Sequence, residues 1–131
     1  MRELTDHIVP GDSANHQLKI EVLDEPGAGN ANHLYRISGF NTITNPGEFR
    51  APQDADFRLF QNGPIKEVGV NGTTHEAEAA ILIDRFEGFQ KGPYACEDNE
   101  QALLHLRAFL DCCQRRTRKR IARGVEGTHE K

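Results

Sequence analysis

Three features of the 131-residue sequence predict an α+β fold, with a small antiparallel β N-terminal part, a C-terminal two-helix hairpin and an oligomeric assembly. Short apolar segments of period two fill the first half, separated by turns rich in glycine, proline and asparagine. Two longer segments with helical apolar spacing fill the second half, divided by Gly92-Pro93. The third feature is a shortage of core: 37% of residues are hydrophobic and tryptophan is absent. A single chain of this size and composition buries little, which favours association. The predicted organisation is a flexible arm over residues 1–17, a β-meander part over 18–72, and the helical hairpin with its tail over 73–131.

Residues 1–16 are polar and contain Pro10-Gly11, as expected of a loosely held arm. Leu18, Ile20 and Val22 alternate with Lys19 and Glu21, the pattern of a half-buried strand. Residues 24–32 turn the chain. Gly27 and Gly29 do not form a phosphate cradle there, because no Gly-Lys-Ser/Thr follows. A second strand returns over 33–40, residues 41–56 form a loop, and a third strand runs over 57–60. Asn62-Gly63 has the composition of a type I′ hairpin turn, which predicts a fourth strand over 65–70. The meander needs a layer over its apolar face, and the helical hairpin is the candidate.

The first helix is expected to open at Thr73 in a capping box with Glu76. Ala79, Leu82, Ile83, Phe86 and Phe89 give it an apolar face, and Gly92-Pro93 ends it. The second is expected to start on Asp98 as N-cap and to end at Gly124. Ala102, Leu106, Phe109 or Leu110, Cys113, Thr117 and Ile121 form its stripe. Such a helix is on the order of 39 Å long, more than so small a first half can cover. Its far end is expected to meet another subunit.

Charge excludes a general polyanion binder. The net charge is −4; residues 1–72 hold 6 cations and 10 acids, and residues 73–131 hold 10 of each. Six cations nevertheless crowd the end of the second helix: Arg115, Arg116, Arg118, Lys119, Arg120 and Arg123. One reading is a solvated face complementing the negative end of the helix dipole. The other is a phosphate ladder, since Arg116, Arg120 and Arg123 share a face and guanidinium forks suit phosphate oxygens. Cys96, Cys112 and Cys113 have no disulfide-framework spacing, and the six histidines have no metal-ligand spacing. No nucleophile–base constellation, signal segment or membrane-length apolar run occurs. A binding protein of the cytoplasm, without catalysis, cofactor or metal, is the expectation.

Around the loop between the helices, Phe89 offers an aromatic face for a base and Asn99 an amide for adenine's edge. The N-terminus of the second helix favours anions. With Arg116 and Arg120 for phosphates, these residues make a nucleotide-shaped set. Each also has an ordinary role available, Phe89 as core and Asn99 as cap.

The block Gly69-Val70-Asn71-Gly72-Thr73-Thr74-His75-Glu76-Ala77, then Ile83-Asp84-Arg85-Phe86, Phe89-Gln90-Lys91-Gly92-Pro93-Tyr94-Ala95-Cys96 with Asn99, Arg116-Thr117, and Arg123-Gly124-Val125-Glu126-Gly127-Thr128-His129 resembles the phage Thoeris anti-defence sponge family. The helical hairpin of that family is related to that of the phage anti-CBASS cyclic-nucleotide sponge. The resemblance is specific over residues 57–131, with the turn Glu25-Pro26-Gly27-Ala28-Gly29 before it. It implies a protein of the host bacterial cytoplasm that sequesters immune second messengers without cleaving them. These are glyco-cyclic ADP-ribose isomers and, in some members, cyclic oligonucleotides. It also implies a dimer or hexamer with ligand sites between subunits. Carried over, it puts Phe89 and Asn99 in the adenine–ribose pocket and Arg116 and Arg120 near the diphosphate. Glu78 stands where the family has an apolar residue, and Glu97 and Asp98 follow the loop cysteine where it has an arginine, which bears on ligand choice. The rival classes are a small nucleic-acid-binding regulator, against which the acidic charge argues, and a protein-interaction module.

Overall fold

The computed structural model describes residues 1–47 and 54–131, and the chain divides into two compact units, Met1–Asn62 and Gly63–Lys131. In the first unit, β1 (Arg2–Leu4), β2 (Lys19–Val22), β3 (Leu34–Ser38) and β4 (Ala55–Leu59) form one antiparallel sheet in the order β1-β2-β3-β4. Three of the four sequence-predicted strands are β2, β3 and β4. The strand that the sequence did not disclose is β1, in the stretch expected to be a loose arm. Its three residues are too few to show a period, yet they pair with the outer edge of β2, Arg2 opposite Val22 and Leu4 opposite Ile20. The His7 ring bonds the Leu18 carbonyl at 2.8 Å and ties the following turn down as well. Of the predicted loop, residues 41–47 are irregular, residues 48–53 lie outside the described residues, and residues 55 and 56 already belong to β4.

The sheet is pinned by polar contacts as much as by its core. Glu21 stands opposite Arg36, whose Nε and Nη2 both donate to Oε1, at 3.1 and 2.6 Å. That guanidinium holds the Glu21 carboxyl below its ordinary range. Asp24 closes the β2–β3 connection by accepting the backbone N–H groups of His33, at 2.9 Å, and Leu34, at 3.2 Å. Burial opposes its ionisation, but these two N–H groups hold its carboxyl low overall. His33, one of the histidines with no special spacing, is buried here. Gly39 ends β3 at φ +95°, and a Cβ there would lie 2.0 Å from the Gln17 carbonyl oxygen, so only glycine fits.

The second unit begins with α1 (Ile65–Val68), where the Asn62-Gly63 signal had predicted a strand. Pro64 has no N–H to lose at a helix start, its φ of −68° suits that position, and Gly69 at φ +78° stops the turn. In α1, Ile65 and Val68 are spaced i, i+3, so one helical turn puts both on one side.

The hairpin follows as α2 (His75–Gln90) and α3 (Glu97–Ala122), which pack against each other. Both caps differ from the expected ones. The N-cap of α2 is Thr74, whose Oγ1 accepts from Ala77 N at 3.1 Å, so Thr73 and Glu76 form no capping box. The N-cap of α3 is Cys96 rather than Asp98, with Sγ accepting from Asn99 N at 3.4 Å. At the other end Gly124 is the C′ residue, as its position predicts. Gly124 N bonds Ile121 O and Val125 N bonds Arg120 O, both at 3.0 Å, which is the Schellman arrangement.

The buried apolar side chains of the hairpin are Ala79, Ile83 and Leu103. On α3 the inner stripe runs through Leu103, Leu106, Leu110, Cys113, Thr117 and Arg120. Of the alternatives Phe109 or Leu110, Leu110 takes the stripe position and Phe109 is exposed; Ile121, expected on it, is exposed, as are Leu82 and Phe89 of α2. The packed seam is therefore narrower than the apolar spacing suggested.

Candidate ligand-binding site

The candidate residues lie at the two ends of the hairpin. At the ring end, α2 stops at Gln90 and α3 begins six residues after Lys91, so the loop must be held from within. Gln90 does this. Its Oε1 accepts from Cys96 N and its Nε2 donates to Cys96 O, each at 3.1 Å, and Nε2 also meets Glu100 Oε2 at 3.1 Å. Asn99 adds a second tie, Nδ2 to Tyr94 O at 3.3 Å. That bond uses one amide hydrogen, leaving the second hydrogen and the Oδ1 lone pairs for a ligand.

Phe89 is neither core nor free. The residue is 42% exposed, and its ring meets that of Phe86 in a T-shaped pair with 5.9 Å between centroids and an 84° interplanar angle. The guanidinium of Arg85, one turn earlier, lies over the ring at 5.5 Å from its centroid. Tyr94, at the crest of the loop, is 79% exposed. The start of α3 carries Glu97, Asp98 and Glu100, which already complement the positive end of its dipole. The anion preference expected of that terminus is thereby offset by three carboxylates.

At the arginine end the six cations differ in what they do. Arg115 and Arg118 both reach Asp111, at 3.2 and 3.6 Å. Arg120 is engaged with the C-terminal tail: Nη1 donates to Glu130 O at 2.7 Å, and Nη2 to Val125 O at 3.0 Å and Thr128 O at 3.1 Å. Arg123 donates to the Lys131 carbonyl at 2.6 Å. The tail is fixed further by Lys66 N to Gly127 O and by the His129 ring to Glu67, both 2.8 Å, so it straps α1 to the end of α3. The side chains of Arg116 and Lys119 make no hydrogen bond or ion pair among the described residues. As a ladder for phosphate, then, Arg116 is available and Arg120 is committed to tail carbonyls.

Within one chain Phe89 and Asn99 lie at the same end of the hairpin, and the arginines lie toward the other. Asn99 and Arg116 are 17 positions apart on one helix, about 26 Å along its axis. Sequence reasoning missed Gln90, Arg85 and the tail strap. The i, i+4 spacing of Arg85 and Phe89 was the available signal for the second; nothing local marked the strap, which joins residues some sixty positions apart. Among the described residues, no group of three or more His, Cys, Asp or Glu side chains forms a metal site, and no helix is long and apolar enough to cross a membrane.

No family profile matches the chain. Over 72 residues, 55% of its length, it is 43% identical to Thoeris anti-defense 1 of Bacillus phage SBSphiJ7, and the match covers 51% of that protein. The chain thus spans about half the length of the relative it matches.

Proposed function

We propose, from this kinship with the phage Thoeris anti-defence proteins, that the chain is itself an anti-defence protein acting in the host bacterial cytoplasm. In this reading it binds cyclic nucleotide immune messengers, glyco-cyclic ADP-ribose isomers or cyclic oligonucleotides, and releases them chemically intact. The base lies on Phe89, the Asn99 amide reads its edge, and Arg116 holds phosphate. Arg120 contributes only where the tail yields its carbonyls.

One observation carries the arrangement of the site. A ring end and an arginine end about 26 Å apart on one helix are too distant for one such ligand, so two chains supply the two halves. A homo-oligomer, a dimer or a hexamer, meets that need when hairpins lie with opposite ends adjacent. The exposed apolar side chains of the hairpin, Ile81, Leu82, Leu104 and Phe109, support such pairing. A nucleic-acid regulator is the weaker reading because the net charge is −4 and four of the six clustered cations are engaged within the chain.

The experiment is to purify the protein from cells making these messengers, denature it by heat, and analyse the supernatant by mass spectrometry. An intact cyclic messenger in amounts comparable to protein is the expected result. Absence of any nucleotide, or recovery of a hydrolysed product with turnover, contradicts the reading.

A further inference from the structure

We propose that Arg85 is a ligand-contacting residue of the ring end, supplying an unpaired guanidinium beside the stacking ring; this rests on the reading that a nucleotide stacks at Phe89. Arg85 sits one helical turn before Phe89 with its guanidinium over the ring, 5.5 Å from the centroid. Phe86 meets the same ring in a T-shaped arrangement, and Phe89 is still 42% exposed, so two contacts hold the ring while part of the residue stays accessible. Apart from the ring, Arg85 makes no hydrogen bond or ion pair among the described residues, and it is exposed. Its five N–H donors are therefore available.

The charge around it explains why that matters. Asp84 and Glu87 flank Arg85 on α2, and Glu97, Asp98 and Glu100 open α3. Arg107 is turned toward Glu87 at 3.6 Å. Lys91 is a point charge that makes no cation–π contact among the described residues. A phosphorylated ligand entering this acidic rim meets repulsion unless a cation stands beside the stacking surface, and in the same chain Arg116 is about 26 Å away. A guanidinium combines the two properties required, a flat face for the ring and a forked edge for phosphate oxygens. A base at the exposed part of Phe89 would bring a ligand's anionic group within reach of the Arg85 fork.

Titration calorimetry with glyco-cyclic ADP-ribose, at low and high salt, on wild type, Arg85→Met and Arg85→Lys tests this, with a melting curve for each. Arg85→Met keeps the aliphatic packing and removes the charge. It is expected to weaken binding by about tenfold or more, to flatten the salt dependence and to leave the Tm unchanged. Arg85→Lys is expected to fall between, because it keeps charge without the fork. Wild-type affinity and salt dependence in Arg85→Met overturn the proposal, as does a loss of affinity that merely follows a lowered Tm. Failure of the wild type to bind overturns the reading of the site as well, which separates the two outcomes.

Discussion

Phe89 and Arg120 were drawn from the sequence as equals in one ligand set, and their surroundings separate them. Phe89 is half-open on a fixed ring contact, so Phe89→Ala is expected to weaken messenger binding by about 1–3 kcal/mol with little change in melting temperature. Arg120 holds three tail carbonyls. Arg120→Lys, which cannot reproduce that fork, is expected to speed amide hydrogen exchange over residues 125–130 more than it weakens binding. Arg116→Lys is expected to do the reverse. Calorimetry paired with exchange mass spectrometry on the two variants separates the roles. The sequence displayed the arginines and their shared face; which of them is already engaged depends on where the tail folds back, and that is set by Gly124 and Gly127 at positive φ. Glu21 and Asp24 give a pH prediction at the same scale. Both carboxyls are held low in the folded chain, so the stability they contribute is present above the ordinary carboxylate value, about 4, and is lost as pH falls through their folded values. Melting temperature is expected to drop below about pH 4, and less steeply in Asp24→Asn; an unaltered slope in that variant contradicts the assignment.

The elements show where sequence pattern is decisive and where it is not. Strand alternation around Ile20 and Val22 and helical spacing around Ala79 and Ile83 were legible because many residues repeat the signal. Residues 65–68 were misread because a four-residue segment has too few positions to distinguish a strand from one helical turn, and Asn-Gly suits either connection. The caps shifted because Thr73 and Thr74 offer the same hydroxyl, and because a thiol at Cys96 is a weak acceptor that pattern rules pass over. Serine is the better acceptor, so Cys96→Ser is expected to raise stability slightly, by up to about 1 kcal/mol, and Thr74→Ala to lower it by about 0.5–2 kcal/mol. Leu103 is the most buried side chain of α3 at 4% exposure. Leu103→Ala is expected to cost about 2–5 kcal/mol, whereas Phe109→Ala, on an exposed face, is expected to cost far less in an isolated chain. Denaturant melts of these variants check the ranking, and a larger loss for Phe109→Ala in the intact assembly would locate that ring in a subunit interface.

At the scale of the molecule, one distance is central. The ring end and the arginine end belong to the same hairpin, about 26 Å apart, so the proposed ligand site is one shared between chains. Subunit complementation tests this most directly. Phe89→Ala protein has every ring end broken, and Arg116→Ala protein has every arginine end broken. When the two are unfolded together and refolded as a mixture, a shared site predicts that glyco-cyclic ADP-ribose binding returns to a fraction of the sites, because some interfaces join an intact ring end to an intact arginine end. Each variant refolded alone is expected to stay weak. A mixture that binds no better than its separate parts, while native mass spectrometry shows that mixed oligomers have formed, contradicts the shared site.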